Sequence, residues 1–152
     1  MKHTDKWPSR LIRLANQIAG WSKDTTKVGA VIVGPGNEIR STGFNGPPPG
    51  VFDRPERFVR PEKYLWCAHA EQNAISQAAR VGTPLDGCTL VCTHYPCSRC
   101  AQMIIGAGIK RVIVGPGTTS MPEDEFKAAQ VMFYEAGVGV TALCAEEHGT
   151  ET

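Results

Sequence analysis

The sequence predicts a layered α/β domain, and three observations carry the prediction. Short β-branched runs at 28–33, 89–93 and 111–114 have the length and composition of buried strands. Segments with apolar residues at helical spacing alternate with them. Glycine and proline stand at the junctions. Strands alternating with helices bury their apolar faces by stacking helices on a sheet.

The elements follow in order. Leu11, Ile12, Leu14, Ala15, Ile18 and Ala19 recur at helical spacing, so a first amphipathic helix is expected from Pro8-Ser9 to about Gly20. Val28-Gly-Ala-Val-Ile-Val33 reads as a buried strand closed by Gly34-Pro35-Gly36, with 38–44 as its hairpin partner. The three prolines of Asn45-Gly-Pro-Pro-Pro-Gly50 cannot donate to a ladder, so a long polar loop is expected to about Pro61. Helix returns near His69 and runs to about Val81, with Ala70, Ala74, Ile75, Ala78 and Ala79 inward, until Gly82 and Pro84 stop it. A strand at 89–93 precedes a helix at 97–107, whose inner face carries Met103, Ile104 and Ala107. A strand at 111–114, a helix at 125–136 and a strand at 138–143 complete the pattern. Phe126, Ala129, Met132, Phe133 and Ala136 form the inner face of that last helix. The polar tail 145–152 is expected to fray. The 152 residues read as a single domain, 1–152, with its core at 8–143.

Composition narrows the function. Hydrophobic residues make up 41% and charged residues 20%, ordinary for a globular enzyme. A formal net charge of +1 gives no electrostatic case for a nucleic-acid polymer as partner. No run of 18 apolar residues suits a membrane, and Met1 to Pro8 is too polar for a secretion signal. Six cysteines with a C-x-x-C spacing then point to metal binding in a reducing cytoplasm rather than to disulfides. Cys88, Cys92 and Cys144 read as small buried hydrophobes.

Two short segments carry the chemistry: His69-Ala70-Glu71, and Pro96-Cys97-Ser98-Arg99-Cys100 about 25 residues later. One imidazole and two thiolates make three zinc ligands and leave a fourth tetrahedral position for water. Cys97 and Cys100 lie three apart and face the same side of their helix. Both ligand sets fall at predicted helix N-termini, where the dipole favours thiolate. Glu71 follows His69 by two residues, about 200° around a regular helix, which suits a proton carrier better than a fourth ligand. It reaches the ion only if His69 occupies an irregular helix start. The competing reading is a closed structural zinc site, with a fourth ligand from Cys67, Cys92 or His94. Such a site has no use for a carboxylate at 71. No second Cys/His cluster is seen, so one catalytic Zn2+ is expected.

Together the segments form the H-x-E…P-C-x-x-C signature of zinc-dependent nucleobase deaminases. The chain resembles the cytidine-deaminase-like superfamily, and within it the deoxycytidylate (dCMP) deaminases, over 21–114 and more loosely to 143. Ser22-Lys23-Asp24 with the strand at 28–33, Gly43-Phe-Asn-Gly46 with Pro49-Gly50, and Lys63-Tyr64 ahead of His69-Ala-Glu-Gln-Asn-Ala-Ile75 carry the likeness. The resemblance implies a three-layer α/β/α domain around a central five-stranded mixed sheet. It also implies a hexamer, and hydrolysis of dCMP to dUMP and ammonia, which supplies dUMP for thymidylate synthesis. Activation by dCTP and inhibition by dTTP, with Mg2+ accompanying the triphosphate, belong to the same family picture.

By matched position, His69, Cys97 and Cys100 would bind zinc, Glu71 would carry the proton, and Asn45 would bind the substrate sugar or phosphate. On the residues alone, Asn45 is equally an αL turn residue. Ala70 would permit close approach beside the ligands or is simply a small helix former, while Trp66 and Tyr95 either stack on the base or belong to the core. Lys27, Arg54, Arg60 and Lys63 are candidate phosphate or regulatory contacts, because a nucleotide phosphate needs cationic donors; the loop cations Arg54, Arg60 and Lys63 read equally as a solvated charged loop. The segment from Asp24 to Val28 is one residue shorter than the family pattern, which leaves regulation open. Cytidine, guanine, a C5-modified dCMP or adenosine in tRNA remain alternative substrates, and a non-catalytic zinc protein remains an alternative class.

Overall fold

A computed structural model describes residues 6–144. The expected fraying of 145–152 lies outside the described residues. The elements are α1 (Trp7–Ala19), β1 (Gly29–Val33), β2 (Ile39–Phe44), α2 (Lys63–Trp66), α3 (Ala70–Val81), β3 (Thr89–His94), α4 (Ser98–Gly106), β4 (Arg111–Gly117), α5 (Glu123–Glu135) and β5 (Gly139–Ala142). A single 3-10 turn at Pro55–Phe58 precedes α2. The strands form one mixed five-stranded sheet in the order β2-β1-β3-β4-β5. Strand β1 is antiparallel to both neighbours, while β3, β4 and β5 run parallel, joined through α4 and α5.

Side-chain alternation along the strands decides which helices cover which face. Val31, Val33, Val91 and Ile113 turn toward Leu11, Ile12, Ala15 and Ile18 of α1. Ala30, Ile32, Leu90, Cys92, Val112 and Val114 turn the other way, toward α3, α4 and α5. The result is three layers, with one helix against three. All five β1 residues are buried because both faces are covered, whereas β5 is a mostly exposed edge.

The contact that positions the site is the seating of α3 on β2. A Cβ at Gly43 would lie 2.4 Å from the Ala70 carbonyl oxygen and 2.5 Å from the Ala74 nitrogen. Helix backbone therefore rests on strand backbone, which only glycine permits. The Ser41 hydroxyl donates to the Ala74 carbonyl at 2.6 Å and holds the register. The chain from Gly46 to Ala68 leaves and returns through a two-hydrogen-bond bridge between those residues, 3.1 and 2.9 Å long. His69 follows immediately.

The structure corrects several expectations. The stretch expected to be loop to Pro61 contains the 3-10 turn, and α2 follows just beyond it; a four-residue helix is too short to show a period. Ala79 and Ala136 are exposed, since each lies at the solvent side of its helix's last turns. Cys144 is exposed, lying just past the edge strand. Asn37 is the non-glycine residue with positive φ among the described residues, so Asn45 is not an αL turn residue. Strand β4 runs three residues past 114, and at Gly117 a Cβ would stand 2.6 Å from the His94 ring packed there.

Gly43→Ala forces α3 off the sheet. The expected cost is about 1–3 kcal/mol, read in thermal denaturation as a Tm lowered by roughly 2–4 °C per kcal/mol. An unchanged Tm would show that α3 is free to shift.

Candidate active site

The two helices that carry the sequence motifs point their N-termini at one spot. His69 is the residue before α3, extended at φ −74° and ψ 160°, and its N–H donates to Gln72 Oε1 at 2.7 Å. Cys97 stands in the same relation to α4, at φ −72° and ψ 174°. Both lie outside the helical spiral, so the side chains are not separated by helical rotation. The irregular start that Glu71 needs is present. Ser98 at the head of α4 is held by Glu125 of α5, whose Oε2 accepts from the Ser98 hydroxyl at 2.5 Å and from its N–H at 3.2 Å.

His69 Nδ1 lies 3.4 Å from Cys97 Sγ and 3.3 Å from Cys100 Sγ. All three ligand atoms fall within 4.8 Å of one another, and no second such group occurs among the described residues. A tetrahedral zinc bonded at about 2.0–2.1 Å to nitrogen and about 2.3 Å to sulfur sets N···S separations of roughly 3.5 Å. The donor set and its spacing fit zinc.

The electrostatics are those of a site ready to load a cation. The Cys97 thiol is lowered to about 4, first by the hydrogen bond with Cys100 and then by that with His69, against the cost of burial. The Cys97 bond, burial and Glu71 push the Cys100 thiol up. The pair therefore holds one thiolate at neutral pH, and an ion that takes both sulfurs must displace the proton of Cys100. The bond to Cys97 raises the His69 pKa, against the opposing effect of burial.

Glu71 is 3% exposed and faces the same cluster. Its Oε2 accepts from Cys100 Sγ at 3.1 Å and its Oε1 from Cys92 Sγ at 2.8 Å. The cluster lies in a cleft that opens to solvent between the N-termini of α3 and α4. Asn45, Arg60, Lys63, Ala70 and Tyr95 line that cleft, as does His94. Asn45 Oδ1 accepts from the Val28 N–H at 2.9 Å and Nδ2 donates to the Thr26 carbonyl at 2.7 Å, which leaves one N–H and one lone pair for a ligand. Lys63 pairs with both oxygens of buried Asp24, at 3.2 and 3.4 Å. Tyr95 makes edge contacts with Phe126 and Phe133, ring centroids 6.2 and 6.3 Å away, and burial raises its hydroxyl pKa. His94 is lowered by burial and meets the Thr93 hydroxyl at 2.7 Å through Nδ1.

Three expected contacts do not reach the cleft. Trp66 lies outside it, with the Arg57 guanidinium 3.9 Å above its ring and its N–H donating to Glu62. Arg54 stacks over Phe52 at 5.8 Å, and Lys27 donates to the Ser22 carbonyl. Asp24 and Phe126 also line the cleft. The acid within Ser22-x-Asp24 was a usable signal; Phe126 was hidden by its helical period. A second cleft, on the other side of Asn45, is lined by Trp21, Lys23, Phe44, Asp53, Asn73 and Arg80 among others.

A lopsided three-layer sandwich that brings a histidine, two cysteines and a buried glutamate together at two helix N-termini is the architecture of the zinc-dependent deaminases. The chain belongs to the cytidine and deoxycytidylate deaminase family, whose zinc-binding region matches residues 3–116. It is 43% identical to an uncharacterised deaminase encoded in the luxG 3′ region of Aliivibrio fischeri, over 91% of this chain and 94% of that one. It is 37% identical to the deoxycytidylate deaminase of Homo sapiens, over 88% and 77% of the two chains. The crystal structure of the dCMP deaminase of cyanophage S-TIM5 with dCMP and dUMP superposes with a TM-score of 0.74 at 27% identity, covering 92% of this chain and 98% of that one.

The Glu125 carboxyl is held below the usual range by the Ser98 hydroxyl and then the Ser98 N–H. A depressed folded-state pKa contributes stability above the unfolded value near 4.3, and that contribution is lost as pH falls through the folded value. Glu125→Ala is expected to lower the thermal midpoint at pH 7, with the gap to wild type closing toward pH 3. A gap that stays constant across that range would show that the carboxylate does not cap α4.

Proposed function

We propose that this enzyme hydrolyses dCMP to dUMP and ammonia, with zinc held by His69, Cys97 and Cys100. The observation that carries the reading is the buried Glu71 carboxylate set against the His/Cys/Cys cluster, in a cleft whose lining also supplies Arg60 and Lys63. Zinc, when bound there, acts as a Lewis acid that makes a water nucleophilic at neutral pH. Glu71 accepts a proton from the attacking water and returns it to the ring nitrogen beside the carbon attacked. It then takes the proton of the hydroxyl added at that carbon and passes it to the amino group, so the C–N bond breaks, the hydroxyl becomes the carbonyl of dUMP, and ammonia leaves.

The rest of the cleft supplies orientation. The free N–H and lone pair of Asn45 face the sugar hydroxyl or phosphate. Tyr95, fixed by its two aromatic neighbours, offers a flat face to the base. Arg60 is the stronger candidate for the phosphate, because Lys63 is committed to Asp24. Lys27, Arg54 and Trp66 drop out of the substrate site.

Control by dCTP and dTTP, with Mg2+ beside the triphosphate, and assembly as a hexamer extend the same reading. What supports control is the second cleft, whose lining includes Arg80, Lys23 paired with Asp53 at 2.8 Å, and Trp21 and Phe44 in edge contact at 6.2 Å. A cytoplasmic setting agrees with six free cysteines, and no helix among the described residues is long and apolar enough to cross a membrane.

Ammonia release from dCMP, deoxycytidine, CMP, cytidine and guanine, with and without dCTP·Mg2+ or dTTP, tests the substrate. Preference for dCMP is expected, and strong turnover of guanine or of free nucleosides instead would overturn it. Glu71→Gln is expected to keep its zinc and lose turnover by at least 10²–10⁴-fold. Arg60→Ala should raise KM for dCMP about tenfold while leaving deoxycytidine unaffected, as for one lost charge-assisted contact.

A further inference from the structure

Glu71 has two thiol neighbours, one on each carboxylate oxygen. Cys100 meets Oε2 at 3.1 Å and Cys92 meets Oε1 at 2.8 Å. A cysteine that ligates a metal does so as thiolate, so Cys100 ceases to be a donor when the site is loaded. Cys92 lies off the metal cluster, on the middle strand β3, fully buried and paired across the sheet with Ala30 and Val114. Burial and the Glu71 charge push its thiol pKa well above the ordinary value, so it stays a donor at neutral pH. A thiol has one proton to give, and here it goes to the Glu71 carboxylate.

We propose that Cys92 is a positioning residue for Glu71, its S–H fixing Oε1 so that Oε2 faces the reacting atoms. A carboxylate unrestrained at both oxygens rotates about its terminal bond, whose torsion is broad. Tied at one oxygen to a rigid strand, it presents the other in one direction throughout the proton transfers. The proposal rests on Glu71 as the proton carrier and goes beyond it by assigning what aims the carboxylate.

Cys92→Val and Cys92→Ala remove the donor, the first with little change in bulk. Cys92→Ser keeps a donor. All three are purified with zinc, and zinc content, thermal midpoint, kcat and KM for dCMP are measured alongside Glu71→Gln. The expected result is a kcat roughly tenfold lower in Cys92→Val and in Cys92→Ala, zinc content and KM near wild type, and kcat largely restored in Cys92→Ser. Wild-type kcat in a folded, zinc-loaded Cys92→Val or Cys92→Ala overturns the proposal. So does an equal loss in all three variants, which is what a packing role gives. Full activity in Glu71→Gln would instead remove the assigned proton carrier, so the two failures are distinguishable.

Discussion

The site depends on one close approach: the backbone of α3 lying directly on β2 at Gly43. Two of the clustered residues, His69 and Glu71, are placed by where α3 begins. His69 is the residue before its first turn, and Glu71 lies within that turn. Were α3 lifted by a methyl group, His69 would part from the cysteines of α4 and Glu71 from β3. The Ser41 hydroxyl on the Ala74 carbonyl and the Asn73 amide on the Phe44 carbonyl, 2.6 and 2.8 Å, resist sliding along the strand. Small residues on the contact face, Ala70, Ala74 and Ala78, are the other half of this fit. An α3 of larger side chains would need a wider gap, and a site built across that gap would not close.

A second dependence is electrostatic. Two helix N-termini converge on one cluster, and their partial positive charge favours anionic sulfur before any metal is present. Cys97 supplies that anion, while Cys100 keeps its proton and shares it with neighbours that are themselves acceptors. Zinc uptake is therefore linked to proton release, and loading becomes harder as pH falls. Glu125 matters at one remove, because it tethers the start of α4 to α5 through Ser98 and so fixes where Cys97 turns out of the helix.

The sequence reveals the metal cluster most fully, because two compact motifs put every ligand within a few residues of a helix start. The alternation of strand and helix gives the layer order, and the hairpin of β1 with β2 is written in its turn residues. Other features resist for physical reasons. The four-residue α2 has no periodicity to read. Trp66 carries the composition of a base-stacking residue, yet its ring is taken by Arg57 from the same excursion of chain, a pairing that no spacing rule anticipates. The bond between Cys92 and Glu71 joins residues 21 apart on different elements. On the sequence, Cys92 reads as a small apolar strand residue or as a spare zinc ligand, and neither reading pairs it with Glu71. Asn45 shows both sides: its place at the strand end is legible, but its use as a brace for the Thr26–Val28 backbone is not.

The bridge between Gly46 and Ala68 has a further consequence, for how such an enzyme changes over time. It closes the excursion 47–67 with two backbone hydrogen bonds just before His69, so the chain re-enters the sheet at a fixed point whatever happens beyond it. Lengthening a closed loop is thermodynamically mild, about 0.6 kcal/mol for each doubling. Arg60, Lys63 and Tyr64 lie inside the excursion and line the cleft. His69 and Glu71 lie outside it. Insertions and replacements within the excursion can therefore reshape the cleft lining while the segment that carries His69 and Glu71 stays in register with the sheet.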